Sequence, residues 1–97
     1  CHNDAMALGA LRTLKAAGRK DVFIVGVDGQ RQAYEEIKKG GQYLATVIND
    51  SYEIATSAVE IMVDILDGKK VPEKTITGTI LVTKDNVDKY YDPDSIF

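Results

Sequence analysis

Apolar positions recur along this chain with two different periods. Between residues 4 and 17, Ala7, Leu11 and Leu14 share one stripe with Ala10 beside it, while Arg12 and Lys15 fall elsewhere on the wheel. That is the 3.6-residue period of an amphipathic helix. Asn3 or Asp4 can cap its start, and Gly18 closes it. Val22-Phe23-Ile24-Val25 is a continuous apolar run between Asp21 and Gly26. Such a run predicts a strand buried on both faces of a parallel sheet. Residues 31–39 predict a second helix with Ala33, Tyr34 and Ile37 turned inward and Gly40-Gly41 stopping it, and residues 43–48 read as a second strand.

Asp50, with Glu53 three residues on, makes a start resembling a capping box. The helix it opens, about 51–67, is apolar almost all round, from Ile54 and Ala55 through Val59, Ile61, Met62 and Val63 to Leu66. A helix of this kind needs cover on more than one side. Thr75 to Val82 is a β-branched run that predicts a strand, and residues 84–97 read as a polar tail with a short helical turn. The order α-β-α-β-α-β implies an α/β fold in which helices wrap a parallel sheet. The first helix has no strand ahead of it to feed it, so the chain is expected to be a portion of a longer protein.

Composition narrows the function. Ninety-seven residues can bury only a modest core. A net charge of −3, with Arg12, Lys15, Arg19 and Lys20 scattered among other residues, excludes the clustered cations of a nucleic-acid binder. One cysteine, Cys1, forms no internal disulfide, and one histidine, His2, supports neither a catalytic triad nor a histidine-rich metal site. No apolar run reaches the roughly 18 residues of a membrane span. Gly26 and Gly29 lack the spacing of a dinucleotide or phosphate-loop fingerprint and read as close packing and a turn. No enzyme, no cofactor and no metal are expected. Asp4, Asp28 and Asp50 are of the type that holds a hard cation, but no phosphoacceptor pattern accompanies them.

In open α/β sheets ligands lie outside the carboxyl ends of the strands. Asn3 and Asp4 sit where a preceding strand would hand over to the first helix, Asp28 ends the strand at 22–27, and Asn49 ends the strand at 43–48. These positions are one βα step apart, so Asn3, Asp28 and Asn49 are the candidate ligand-binding residues. A carboxylate accepts from two adjacent hydroxyls, and a side-chain amide both donates and accepts. Together they suit a polyhydroxylated ligand. Each also has a purely structural reading: Asn3, Asp4 and Asp50 as helix caps, Asp28-Gly29 as a turn pair.

Four stretches resemble type I periplasmic sugar-binding proteins, the solute receptors of ABC importers, and most of all their ribose-binding branch. Asn3-Asp4-Ala5-Met6-Ala7-Leu8-Gly9-Ala10 resembles the family's Asn-Asp-x-Met-Ala-Leu-Gly-Ala, and Val25-Gly26-Val27-Asp28-Gly29 its Val-Gly-Phe-Asp-Gly strand end. Ala45-Thr46-Val47-Ile48-Asn49 is similar to Ala-Thr-Ile-Ala-Gln, and Leu81 to Asp88 resembles the C-terminal strand and tail. The resemblance implies a parallel-sheet, Rossmann-like lobe of a two-lobed fold, incomplete in this chain. Residues 1–49 would belong to the C-terminal lobe, 50–72 to the N-terminal lobe after a hinge crossing, and 73–97 to a return strand and tail.

By the same resemblance, Asn3 and Asp28 fall on positions that hydrogen-bond sugar hydroxyls. Asn49 falls where ribose binders carry Gln, one methylene longer, so ribose itself is not implied. The partners implied are a monosaccharide or polyol, a membrane permease, and either the N-terminal part of the same protein or a second copy to cover helix 51–67. The implied location is periplasmic or otherwise extracytoplasmic, with no signal peptide within this chain. The alternative is the effector-binding domain of a LacI-type transcription regulator, which shares the fold but usually carries Asp-Asp where this chain has Asp28-Gly29. A stand-alone α/β signalling domain fits less well, because it should not begin without its first strand.

Overall fold

The computed structural model describes residues 1–96. Helix α1 runs Asp4–Ala16, strand β1 Ile24–Asp28, helix α2 Arg31–Lys39, strand β2 Tyr43–Ile48, helix α3 Ser51–Leu66, strand β3 Leu81–Thr83 and helix α4 Val87–Tyr90. The chain divides into two compact units, Cys1–Asn49 together with the segment from Ile80 onward, and Asp50–Thr79.

In the first unit the strands lie in the order β1-β2-β3. α1 packs on β1, α2 on β2, and α4 on α2 and β3. Apolar faces set by the helical period supply the core: Ala7 and Leu11 from α1, Ala33, Tyr34 and Ile37 from α2, Val87 from α4, with Ile24, Tyr43 and Val82 from the sheet. The inward residues expected of α2 are all buried. At about 25 cal/mol per Å² of apolar surface, each large side chain here contributes roughly 1.5–3 kcal/mol.

Two expectations change. The sheet is mixed, not wholly parallel: β1 and β2 are parallel, but β3 runs antiparallel to β2, with Val47 opposite Leu81 and Ala45 opposite Thr83. The chain leaves this unit after β2 and re-enters beside the point of departure, where the Ile48 N–H donates to the Ile80 carbonyl at 2.9 Å. Entry at that end sets the strand direction. β3 is also three residues long and not the run 75–82, because Thr75 to Thr79 have no strand to pair with. Secondly, β1 is an edge strand covered on one side. Phe23, Val25, Leu44 and Leu81 remain exposed, so the apolar run at 22–25 does not have two buried faces.

The register slips between Ile24 and Val25, which pair with Tyr43 and Ala45, so β2 carries one extra residue at Leu44. In a regular strand Tyr43 and Thr46, three apart, would point to opposite faces. The slip turns both toward α1. The tail is held by Arg31 at the start of α2, whose Nη1 donates to the carbonyls of Pro93 and Ser95 at 3.1 and 3.0 Å.

In the second unit, Asp50 caps α3 by accepting from the backbone N–H groups of Tyr52 and Glu53 at 2.8 and 3.1 Å. The Glu53 carboxylate accepts from the Gly78 N–H at 3.4 Å rather than from the cap backbone, so only half of a capping box forms. No residue of α3 is buried; Ile54, Val59, Met62, Val63, Ile65 and Leu66 are all exposed.

Candidate functional site

Three backbone segments meet at the carboxyl ends of β1 and β2. The first is the start of α1. Asn3 is extended (φ −152°, ψ 168°) and its Oδ1 accepts the Met6 N–H at 2.8 Å. This is an N-cap, typically contributing about 1 kcal/mol. The cap uses only Oδ1, so the half-buried side chain keeps its Nδ2 amide as a donor.

The second is the turn from β1 into α2. Asp28 has φ 121° and is the one non-glycine residue with positive φ among the described residues. Such a conformation costs on the order of 1–3 kcal/mol and persists only where the surroundings impose it. The Asp28 side chain is half-buried, and among the described residues no hydrogen bond or ion pair engages its carboxylate. The third segment is the end of β2. Asn49 is exposed, and its backbone N–H donates to the Asp28 carbonyl at 3.1 Å.

Asp4 joins these segments. Its carboxylate is fully buried. Oδ2 accepts the backbone N–H groups of Gly29 and Gln30 at 2.9 and 2.8 Å. Oδ1 accepts the Tyr43 hydroxyl at 2.6 Å, and the Thr46 hydroxyl lies 2.8 and 3.0 Å from the two oxygens. No cation pairs with it among the described residues. A buried charge without a counter-ion is tolerable only when hydrogen-bonded throughout. Here two hydroxyls and two backbone N–H groups supply the bonds, and the positive ends of α1 and α2 add favourable dipoles. Burial, with the Asp4 carboxylate beside it, holds the Tyr43 hydroxyl far above the ordinary tyrosine range, so it stays a donor.

Gly26 leaves the space for this arrangement, since a Cβ there would overlap Asp4 Oδ1 and Tyr43 Oη. A lone glycine inside a strand signals such close approach, and that part was legible in the sequence. The Asp4–Tyr43–Thr46 cluster was not. Asp4 reads in sequence as a cap or a cation ligand, but its oxygens are taken by protein donors. Among the described residues no group of three or more His, Cys, Asp or Glu is placed to hold a metal.

Asn3, Asp28 and Asn49 therefore lie on neighbouring segments at one end of the sheet, with Asp4 beneath them. A sequence profile of the periplasmic binding protein domain matches residues 1–70. The chain belongs to the periplasmic binding protein family. It is 42% identical over 82 residues to the ribose import binding protein of Salmonella typhimurium, a match covering 84% of this chain and 27% of that protein. Its fold matches an ABC transporter solute binding protein from Mycobacterium smegmatis with bound glycerol, at TM-score 0.88 and 38% identity, over 96% of this chain and 32% of that one. A solute binding protein from Bacillus halodurans with bound myo-inositol matches at TM-score 0.80 and 36% identity, over 92% of this chain and 31% of that one. The chain thus spans less than a third of the length of each of these relatives. They are type I periplasmic binding proteins, and they lend no support to the transcription-regulator alternative.

Proposed function

We propose that this chain forms one wall of a monosaccharide or polyol site in a two-lobed solute receptor of an ABC importer, with Asn3, Asp28 and Asn49 hydrogen-bonding ligand hydroxyls. The observation that carries this reading is Asp28: a half-buried carboxylate with no hydrogen-bond or ion-pair partner among the described residues, at a strand end, in a strained backbone conformation. Strain and an unused acceptor together are the mark of a residue retained for binding. The relative named for ribose import and the solute binding proteins solved with glycerol and myo-inositol bound support the ligand class.

In this reading residues 1–49 and the return segment 73–97 belong to the C-terminal lobe, and 50–72 to the N-terminal lobe. The exposed apolar surface of α3 is covered by the remainder of the N-terminal lobe or by a second copy. The receptor is extracytoplasmic, hands its ligand to a membrane permease, and binds without catalysing a reaction.

Calorimetric titration of the full-length receptor with D-ribose and with myo-inositol tests the assignment. Each hydrogen bond to a charged acceptor contributes about 1.5–3 kcal/mol, so Asp28→Ala is expected to weaken the better ligand about 100-fold. Unchanged affinity for both would sink the assignment.

A further inference from the structure

The Asp28–Gly29 peptide group is pinned at both ends. Its carbonyl, on Asp28, accepts from the Asn49 N–H at 3.1 Å. Its N–H, on Gly29, donates to Asp4 Oδ2 at 2.9 Å and lies 3.3 Å from the Thr46 hydroxyl oxygen. The next N–H, on Gln30, reaches the same Asp4 oxygen at 2.8 Å. This plane flanks ψ of Asp28 and φ of Gly29, and the preceding peptide is held by the pairing of Val27 and Asp28 with β2, so the two planes together set both φ and ψ of Asp28. Gly29 itself sits at φ +83°, where a Cβ would meet the Tyr34 hydroxyl and Ile48. The unusual backbone of Asp28 is therefore imposed from outside, by the sheet on one side and by Asp4 and the Asn49 N–H on the other.

A carboxylate meets all of these donors without rearrangement. Both Asp4 oxygens face donors: two N–H groups on one, a tyrosine hydroxyl on the other, with the Thr46 hydroxyl near both. An asparagine has one acceptor oxygen, and its NH2 would force the Tyr43 and Thr46 hydroxyls to turn from donors into acceptors, although Thr46 already accepts from the Gly29 N–H. Asp4 is fully buried, so it cannot itself meet a ligand in this conformation.

We infer that Asp4 is a positioning residue of the ligand site, which sets the conformation of Asp28 through the Gly29 and Gln30 amides before ligand arrives. This rests on the reading that Asp28 binds the sugar. Tyr43 separates the positioning role from general stability. Tyr43→Phe removes a hydroxyl from Asp4 Oδ1 but leaves both amide bonds to Asp4 Oδ2 and the Thr46 contact with the Gly29 N–H.

The test uses the full-length receptor, titrated with D-ribose and with myo-inositol, in wild type, Asp28→Ala, Asp4→Asn and Tyr43→Phe. Asp4→Asn is expected to weaken binding at least tenfold. Tyr43→Phe should lower thermal stability yet change affinity less than threefold. If Asp28→Ala abolishes binding while Asp4→Asn binds within threefold of wild type, the positioning role is overturned and the ligand site stands. If Asp28→Ala binds as wild type does, the site reading falls and this inference with it. Hydrogen exchange on ligand-free wild type covers the case in which Asp4→Asn does not fold. The Gly29 and Gln30 amides should exchange as slowly as those of β2, and exchange at unprotected loop rates would overturn preorganisation by Asp4.

Discussion

The Tyr43 hydroxyl donates to Asp4 Oδ1 at 2.6 Å, across 39 residues of sequence and inside the core. Both groups are buried, so neither has water as an alternative partner. Tyr43→Phe should therefore lower the stability of the fold around it by about 1.5–3 kcal/mol, the contribution of a hydrogen bond to a charged group. Urea unfolding followed by near-ultraviolet circular dichroism reads the change directly.

The same pair predicts an alkaline dependence. Burial and the adjacent carboxylate raise the Tyr43 pKa above its value in the unfolded chain, which is about 10. A raised pKa means that the folded state holds the proton more tightly. The associated stability is complete below about pH 10 and is lost progressively as pH rises above it. The stability difference between wild type and Tyr43→Phe should therefore hold from pH 8 to about pH 10 and shrink as pH rises further, to about pH 12. A constant difference would show that Tyr43 does not titrate differently in the two states.

Gly26→Ala inserts a methyl group where Asp4 Oδ1 and Tyr43 Oη meet. Overpacking of this kind costs roughly 1–3 kcal/mol, and here it also disturbs the bonds to a buried charge. A lower urea midpoint is expected. An alanine tolerated without loss would mean that the Asp4 side chain has room to withdraw.

The periodic elements were legible because their side chains carry the pattern locally. The stripe Ala7–Leu11 and the trio Ala33, Tyr34 and Ile37 fall on core-facing positions by helical geometry alone, and the strand-end location of Asn3, Asp28 and Asn49 follows from the βα order. What the sequence concealed depends on distant partners. Thr75 to Thr79 have strand-forming side chains, but a strand needs a neighbour, and pairing begins only at Leu81. Asp4 looked like a cap because its donors lie 25 to 42 residues away. The extra residue at Leu44 that turns Tyr43 and Thr46 to one side has no local signature.

Asp28→Gly separates strain from binding. Glycine accepts positive φ without steric cost, so the substitution should raise stability by about 1 kcal/mol as backbone strain of that order is released. It should also remove ligand affinity. Thermal melts of the ligand-free receptor together with calorimetric titration check both halves. A variant that loses stability as well as binding would show that the Asp28 side chain supports the fold.

Arg31→Ala frees the carbonyls of Pro93 and Ser95 from the guanidinium. The tail beyond Tyr91 should then be cleaved several-fold faster by a nonspecific protease, with the core protected as before. Equal cleavage rates would show that other contacts hold the tail.

The most direct measurement is a crystal structure of the full-length receptor with its sugar or polyol bound. Ligand hydroxyls are expected within hydrogen-bonding distance, about 2.5–3.2 Å, of Asn3 Nδ2, an Asp28 carboxylate oxygen and the Asn49 side chain, with Asp4 still bonded to Gly29 and Gln30. A ligand seated between the lobes with none of the three side chains in reach would contradict the account.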